Sequence, residues 1–115
     1  MVQYDLAERT KKFSIEIIQT LKRIKPNYLN QNIIAQLLKS STSVGANYRE
    51  ANASVSKRDF QNKISISRKE IQETEYWIEL FAETNSEFKK ELQKLWKEAR
   101  ELTLIFGKIV SKLKN

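Results

Sequence analysis

Histidine and cysteine are both missing from this sequence of 115 residues. Without cysteine there is no disulfide and no thiolate chemistry. Without histidine, the commonest metal ligand and the side chain that titrates near neutrality are gone. A zinc site is therefore not expected, and only carboxylate metal sites stay open. Glycine occurs twice and proline once, which predicts long elements joined by few loops. Long apolar runs are lacking too. The longest are a few residues, well short of the roughly 20 that span a bilayer. The N-terminal Met1-Val2-Gln3-Tyr4-Asp5 carries no apolar targeting core. These absences predict a cytoplasmic protein with no membrane segment.

The same gaps argue against catalysis. Ser41, Ser43, Ser65 and Ser67 have no histidine with which to build a nucleophilic triad. Gly45 and Gly107 stand alone, so no glycine-rich phosphate loop exists. Glu70 and Glu73 sit one helical turn apart, but carboxylate di-iron bundles also use histidine. The expectation is a protein that is not an enzyme, with no cofactor and no metal.

What is present is amphipathic helix. Hydrophobic residues make up 40% of the chain, enough for one core in a single domain over residues 1–115. Leu6, Phe13, Ile17, Leu21 and Ile24 mark a first helix over residues 5–24, ended by Pro26. Ile34, Leu37, Leu38, Ser41, Val44, Gly45 and Tyr48 mark a second, from about residue 29 or 30 to 51. A third opens at Ser56-Lys57-Arg58-Asp59, which reads as a capping box. Its seam is Phe60, Ile64, Ser67, Ile71, Thr74, Ile78 and Phe81. A second box, Thr84-Asn85-Ser86-Glu87, precedes a fourth seam of Phe88, Leu92, Leu95, Ala99, Leu102, Phe106, Ile109 and Leu113. Both seams step alternately by 4 and 3, the spacing of a left-handed bundle. Short connections make sequential helices antiparallel neighbours. The fold class is all-α, an antiparallel up-and-down four-helix bundle.

More apolar residues are present than one core needs. Ile15 and Ile18, Ile66, Trp77 and Leu80, and Trp96 and Leu104 fall off their helices' main stripes. Such residues are candidates for a subunit interface, against the plainer reading that scattered exposed apolar groups are ordinary. Self-association is the expectation.

Lysine and arginine number 21 against 14 acidic residues, a net charge of +7. A basic excess favours polyanions; the plainer reading is solubility. Lys90, Lys94, Lys97, Lys108 and Lys112 fall within about 60° of arc opposite the fourth seam. Lys11, Lys12, Lys22 and Arg23 also face away from the core. First and fourth helices are neighbours in such a bundle, which would let the two basic stripes meet. Residues 70–83, in contrast, hold Glu70, Glu73, Glu75, Glu79 and Glu83 and no basic residue. The alternative is a solvated face with Lys94–Glu98 and Lys97–Glu101 pairs along one helix. Long helices do not suit a helix-turn-helix reader, so any nucleic-acid binding should be backbone-driven and salt-sensitive.

One composite pattern stands out. It runs Ser43-Val44-Gly45-Ala46-Asn47-Tyr48-Arg49-Glu50-Ala51, then Ser56-Lys57-Arg58-Asp59-Phe60, Lys63-Ile64-Ser65-Ile66-Ser67-Arg68-Lys69-Glu70 and Glu73-Thr74-Glu75-Tyr76-Trp77. This order resembles the bacterial four-helix-bundle family of proteins encoded in intervening sequences of 23S ribosomal RNA, also called S23 ribosomal proteins. The family is similar to the accessory variability determinant of diversity-generating retroelements. The resemblance implies an antiparallel bundle assembled as a homopentameric ring, and a nucleic-acid or protein partner. Many family members carry Pro where this chain has Gly45, and Gly where it has Ala51.

Read physically, Gly45 and Ala46 allow close helix approach. Asn47, Arg49, Glu50, Arg68 and Glu75 are candidates for a polar network between the second and third helices, and Trp77 for an interface. The reading overall is a non-enzymatic oligomeric bundle that binds RNA or DNA with little sequence preference through its basic faces. A protein-interaction scaffold is the alternative.

Overall fold

A computed structural model describes residues 5–114; residues 1–4, read above for a targeting segment, and residue 115 lie outside it. Helix α1 spans Leu6–Lys22, α2 Gln31–Asn52, α3 Lys57–Thr84 and α4 Lys89–Leu113. A short 3-10 turn, Ser86–Phe88, leads into α4. No strand occurs among the described residues.

Cross-helix contacts fix the packing. Between α1 and α2, Gly45 lies against Thr10 and the Ser14 hydroxyl donates to the Ser41 carbonyl. Ser67 and Thr74 of α3 meet Val44 and Ser40 of α2. Trp96 and Thr103 of α4 meet Glu79 and Glu75 of α3. In each case residue numbers rise on one helix as they fall on the other, so sequential helices are antiparallel. Helices α1 and α4 are neighbours too, the most loosely packed of the adjacent pairs.

The seams close on one core. Phe13, Ile17, Leu37, Val44, Ile64, Ile71, Ile78, Phe81, Leu92, Leu102 and Phe106 are almost wholly buried, each stabilising the fold by roughly 1.5–3 kcal/mol. Polar groups in this core are hydrogen-bonded. The Ser67 hydroxyl donates to the Val44 carbonyl at 2.9 Å. The Thr74 hydroxyl lies 2.9 Å from Ser40 Oγ and 2.8 Å from the Glu70 carbonyl. Gly45 sets the α1–α2 distance: a Cβ built there would lie 2.9 Å from Thr10 Oγ1 and 3.2 Å from Thr10 Cβ. A side chain there would push α1 and α2 apart.

Local signals explain most ends. Ser56 Oγ accepts from the Asp59 amide at 3.0 Å, so the cap at the start of α3 forms. The second box does not. Thr84 is the last residue of α3, and its hydroxyl donates backward to the Leu80 carbonyl at 2.9 Å. A threonine inside a helix has its own chain's carbonyl within reach, and that bond competes with capping. Leu38 also departs from the expected stripe; it is exposed, and Ser40 takes the inward position instead.

Candidate nucleic-acid interface

All nine basic residues expected to bind nucleic acid are exposed: Lys11, Lys12, Lys22 and Arg23 from α1 and its C-cap, and Lys90, Lys94, Lys97, Lys108 and Lys112 from α4. Arg23 is engaged within the fold. Its guanidinium pairs with Glu91 and stands 5.1 Å from the Phe88 ring centroid, tying the end of α1 to the start of α4. None of the other eight side chains forms an ion pair or hydrogen bond among the described residues.

The α1–α4 joint explains why Lys94 and Lys97 are free. Arg9 of α1 donates through Nε and Nη2 to Glu98, at 2.8 and 2.9 Å, and its Nη2 lies 3.5 Å from Glu101. Both carboxylates are thereby drawn across to α1, and the Lys94–Glu98 and Lys97–Glu101 pairs do not form. The glutamates hold the Arg9 guanidinium above its ordinary pKa, chiefly through the Glu98 hydrogen bond. An open cleft of about 690 Å³ runs along this joint. Lys12, Lys94 and Lys97 line it together with Asp5, Glu8, Glu16, Glu98 and Glu101. The two basic stripes thus approach each other across a band of mixed charge.

The expected polar network between α2 and α3 is distributed over several places. Glu50 pairs with Lys63 of α3 at 3.0 Å. Asn47 donates to the Ser43 carbonyl of its own helix at 2.9 Å. Arg49 faces α1 and lines a cleft with Lys11, Thr10 and Gly45. Glu75 turns toward α4, where it is 7% exposed. There it accepts from the Thr103 hydroxyl and lies 3.5 Å from Arg100 Nη1. Arg68 also faces α4. Trp77 is half-buried and packs on the core, its indole N–H 3.4 Å from Glu73 of the same helix.

The glutamates of residues 70–83 do not make one acidic face. Glu75 and Glu79 point to α4, the latter accepting from the Trp96 indole at 3.0 Å. Glu70 and Glu73 sit together on another side of α3, and burial, then the Glu73 charge, raises the Glu70 pKa. Among the described residues no group of carboxylates could hold a metal ion, and no helix is long and apolar enough to cross a membrane.

A family model of the 23S rRNA-intervening sequence protein matches residues 3–108, nearly the whole chain. The chain belongs to that family. A similar structure is a crystal structure of an S23 ribosomal protein family member of unknown function from Bacteroides thetaiotaomicron. It is 30% identical, with a TM-score of 0.79 over 91% of this chain and 97% of the other. No curated protein matches the chain. Family membership thus joins the four seams read from sequence to a fold seen in a relative.

Sequence reasoning passed over Arg100, which joins Arg68 and Lys108 in a cleft between α3 and α4. The signal was present: Arg100, Leu104, Gly107, Lys108 and Ser111 recur at helical spacing on one side of α4. Its meaning depended on the register against α3, which the sequence of α4 alone does not contain.

Proposed function

We propose that the protein is a non-enzymatic nucleic-acid-binding oligomer that contacts the phosphate backbone of RNA or DNA through its basic helix faces. The observation that carries this reading is the freedom of Lys94 and Lys97. Their in-helix partners are held by Arg9, so their charges are available to phosphate. Lys90 and Lys112 extend the same unpaired face of α4.

Assembly into a homopentameric ring belongs to the same reading. Ile15, Leu38 and Ile66 are 39–45% exposed, apolar surface that a subunit interface would cover. Five copies at +7 each would give roughly +35 on one particle, a strong field for a polyanion. Those exposed apolar residues also favour a second reading, a protein-interaction scaffold without nucleic acid.

The test is fluorescence anisotropy of a labelled structured RNA and a labelled DNA duplex across a salt series. Binding should weaken steeply with salt, with a logarithmic slope of about −0.9 per duplex phosphate neutralised. Reversing Lys90, Lys94 and Lys97 to glutamate should abolish it. No binding to either probe at low salt refutes the reading, and binding unchanged by charge reversal moves it off α4. Light scattering on the same samples should give a mass well above 13.5 kDa; a monomer at tens of micromolar refutes the ring.

A further inference from the structure

The cleft between α3 and α4 is the more basic of two that no acid lines, with three cations against the Lys11 and Arg49 of the α1–α2 cleft. Arg68, Arg100 and Lys108 line it with Gln72, Thr103, Leu104, Gly107 and Ser111, and no carboxylate lines it. Glu75, in contact with two of the lining residues, is held by Thr103 and Arg100. The α1–α4 cleft, by comparison, sets four cations against five acids.

Arg68 is the centre of this cleft. Its Nε is buried and has no hydrogen-bond partner, and no ion pair engages its guanidinium. A buried charged donor without an acceptor is costly. An oxyanion at the outer face of the guanidinium would offset that cost with a charge-assisted bond to the Nη groups, which are not buried.

Gly107 is an independent observation at the same place. It lies inside α4, where glycine is a poor helix former. Packing does not demand it: a Cβ there would meet nothing closer than the Arg68 Nε and Nη2, at ordinary contact distances of 3.7 Å. What glycine does at this position is let the guanidinium lie close against α4, with its Nε buried there. Leu104, 53% exposed, supplies an apolar wall beside it. The cleft is an open groove of about 400 Å³.

We infer that the α3–α4 cleft is a nucleotide-binding pocket, in which Arg68 and Lys108, supported by Arg100 and Ser111, take a phosphate group while the sugar or base lies against Leu104. The inference deepens the nucleic-acid reading and rests on it for the class of ligand. It adds one defined pocket to a surface otherwise made of diffuse charge. Its source is either a free nucleotide or one unit of a single strand.

Calorimetric titration of the full chain with adenosine monophosphate, inorganic phosphate and adenosine tests it. The monophosphate should bind saturably at one per chain, phosphate more weakly, and adenosine not at all. Arg68→Gln and Lys108→Gln should each lower the affinity roughly tenfold or more, as expected for loss of a charged hydrogen bond. Lys57→Gln, at the start of α3, should leave it unchanged. Lys108 is exposed, so its variant reports even where Arg68→Gln fails to fold. Absence of saturable binding, or equal affinity in the Lys108 variant, overturns the pocket.

A labelled single-stranded oligonucleotide separates the two readings and the two sources. Oligonucleotide binding that persists in the absence of nucleotide binding overturns the pocket and leaves the general reading standing. Nucleotide binding without oligonucleotide binding supports the pocket as a free-nucleotide site and refutes the general reading. Oligonucleotide binding weakened by Lys108→Gln supports a strand unit as the occupant.

Discussion

Gly45 and Gly107 both lie inside helices, where changing glycine to alanine lowers the cost of helix formation by about 1 kcal/mol. Their surroundings differ. At Gly107 the new methyl would touch only the Arg68 guanidinium, at 3.7 Å. Gly107→Ala should therefore keep the full gain, raising the melting midpoint by about 4 °C for a domain of this size. At Gly45 the methyl would stand 2.9 Å from Thr10 Oγ1 and 3.2 Å from its Cβ. The hydroxyl is held by the Leu6 carbonyl at 2.6 Å, and Cβ cannot rotate away, so α1 and α2 must separate. Overpacking of that kind costs about 1–3 kcal/mol. The net effect of Gly45→Ala should be a loss of about 1 kcal/mol. Thr10→Ala in the same chain should recover part of it, and the non-additivity measures the contact. Urea unfolding followed by far-ultraviolet circular dichroism reads the wild type, Gly107→Ala, Gly45→Ala, Thr10→Ala and the Gly45→Ala/Thr10→Ala double variant, at one fixed concentration because assembly adds to apparent stability. Stabilisation by both alanines would refute the close approach of α1 and α2.

Three further outcomes follow from the packing. Glu75→Gln should lower stability by about 1–2 kcal/mol in urea unfolding, because a buried carboxylate loses its charge-assisted bonds to Thr103 and Arg100; an unchanged midpoint would show the pair to be dispensable. Arg9→Gln should cost about 1 kcal/mol through loss of the two-pronged pair with Glu98, and a loss that does not shrink in high salt would contradict its electrostatic origin. Glu70 carries a pKa raised above the ordinary 4.5, first by burial and then by Glu73, partly offset by Lys69 and Lys39. The folded state therefore holds this proton more tightly than the unfolded chain does. The stability of the native protein should fall relative to Glu70→Gln as pH rises from 4.5 through the raised value, then run parallel to it; parallel curves throughout would refute the shift.

Helix positions and the core were legible because they depend on spacing within one helix. The alternation of 4 and 3 from Ile64 to Phe81 and from Phe88 to Phe106 places every one of those seam residues inside. Polar members of the core were harder. Thr10 and Ser40 are buried, yet hydroxyl groups carry no hydrophobic signal, and each is admitted by a carbonyl of its own helix. Off-stripe Trp96 was read as outward-facing, but its indole lies against α3 through Glu79, leaving it half-buried. The basic residues were legible as exposed. Their pairing was not: Glu98 looked four residues back to Lys94 in sequence and instead looks across to Arg9, a residue 89 positions away. Helical wheels give the direction of a side chain, and only the register between helices gives its neighbour.

The α1–α4 joint has a consequence for the order in which the structure opens. Packing between α2 and α3 and between α3 and α4 is dense, whereas α1 meets α4 most loosely of all neighbouring pairs. Ion pairs from Arg9 and Arg23 hold that joint along an open cleft. Charge pairs weaken with salt while buried apolar contacts do not. Helix α1 is thus the least tightly held of the four, although Phe13 and Ile17 anchor it in the core, and its amides should exchange with solvent before those of α3, with the gap widening as ionic strength rises.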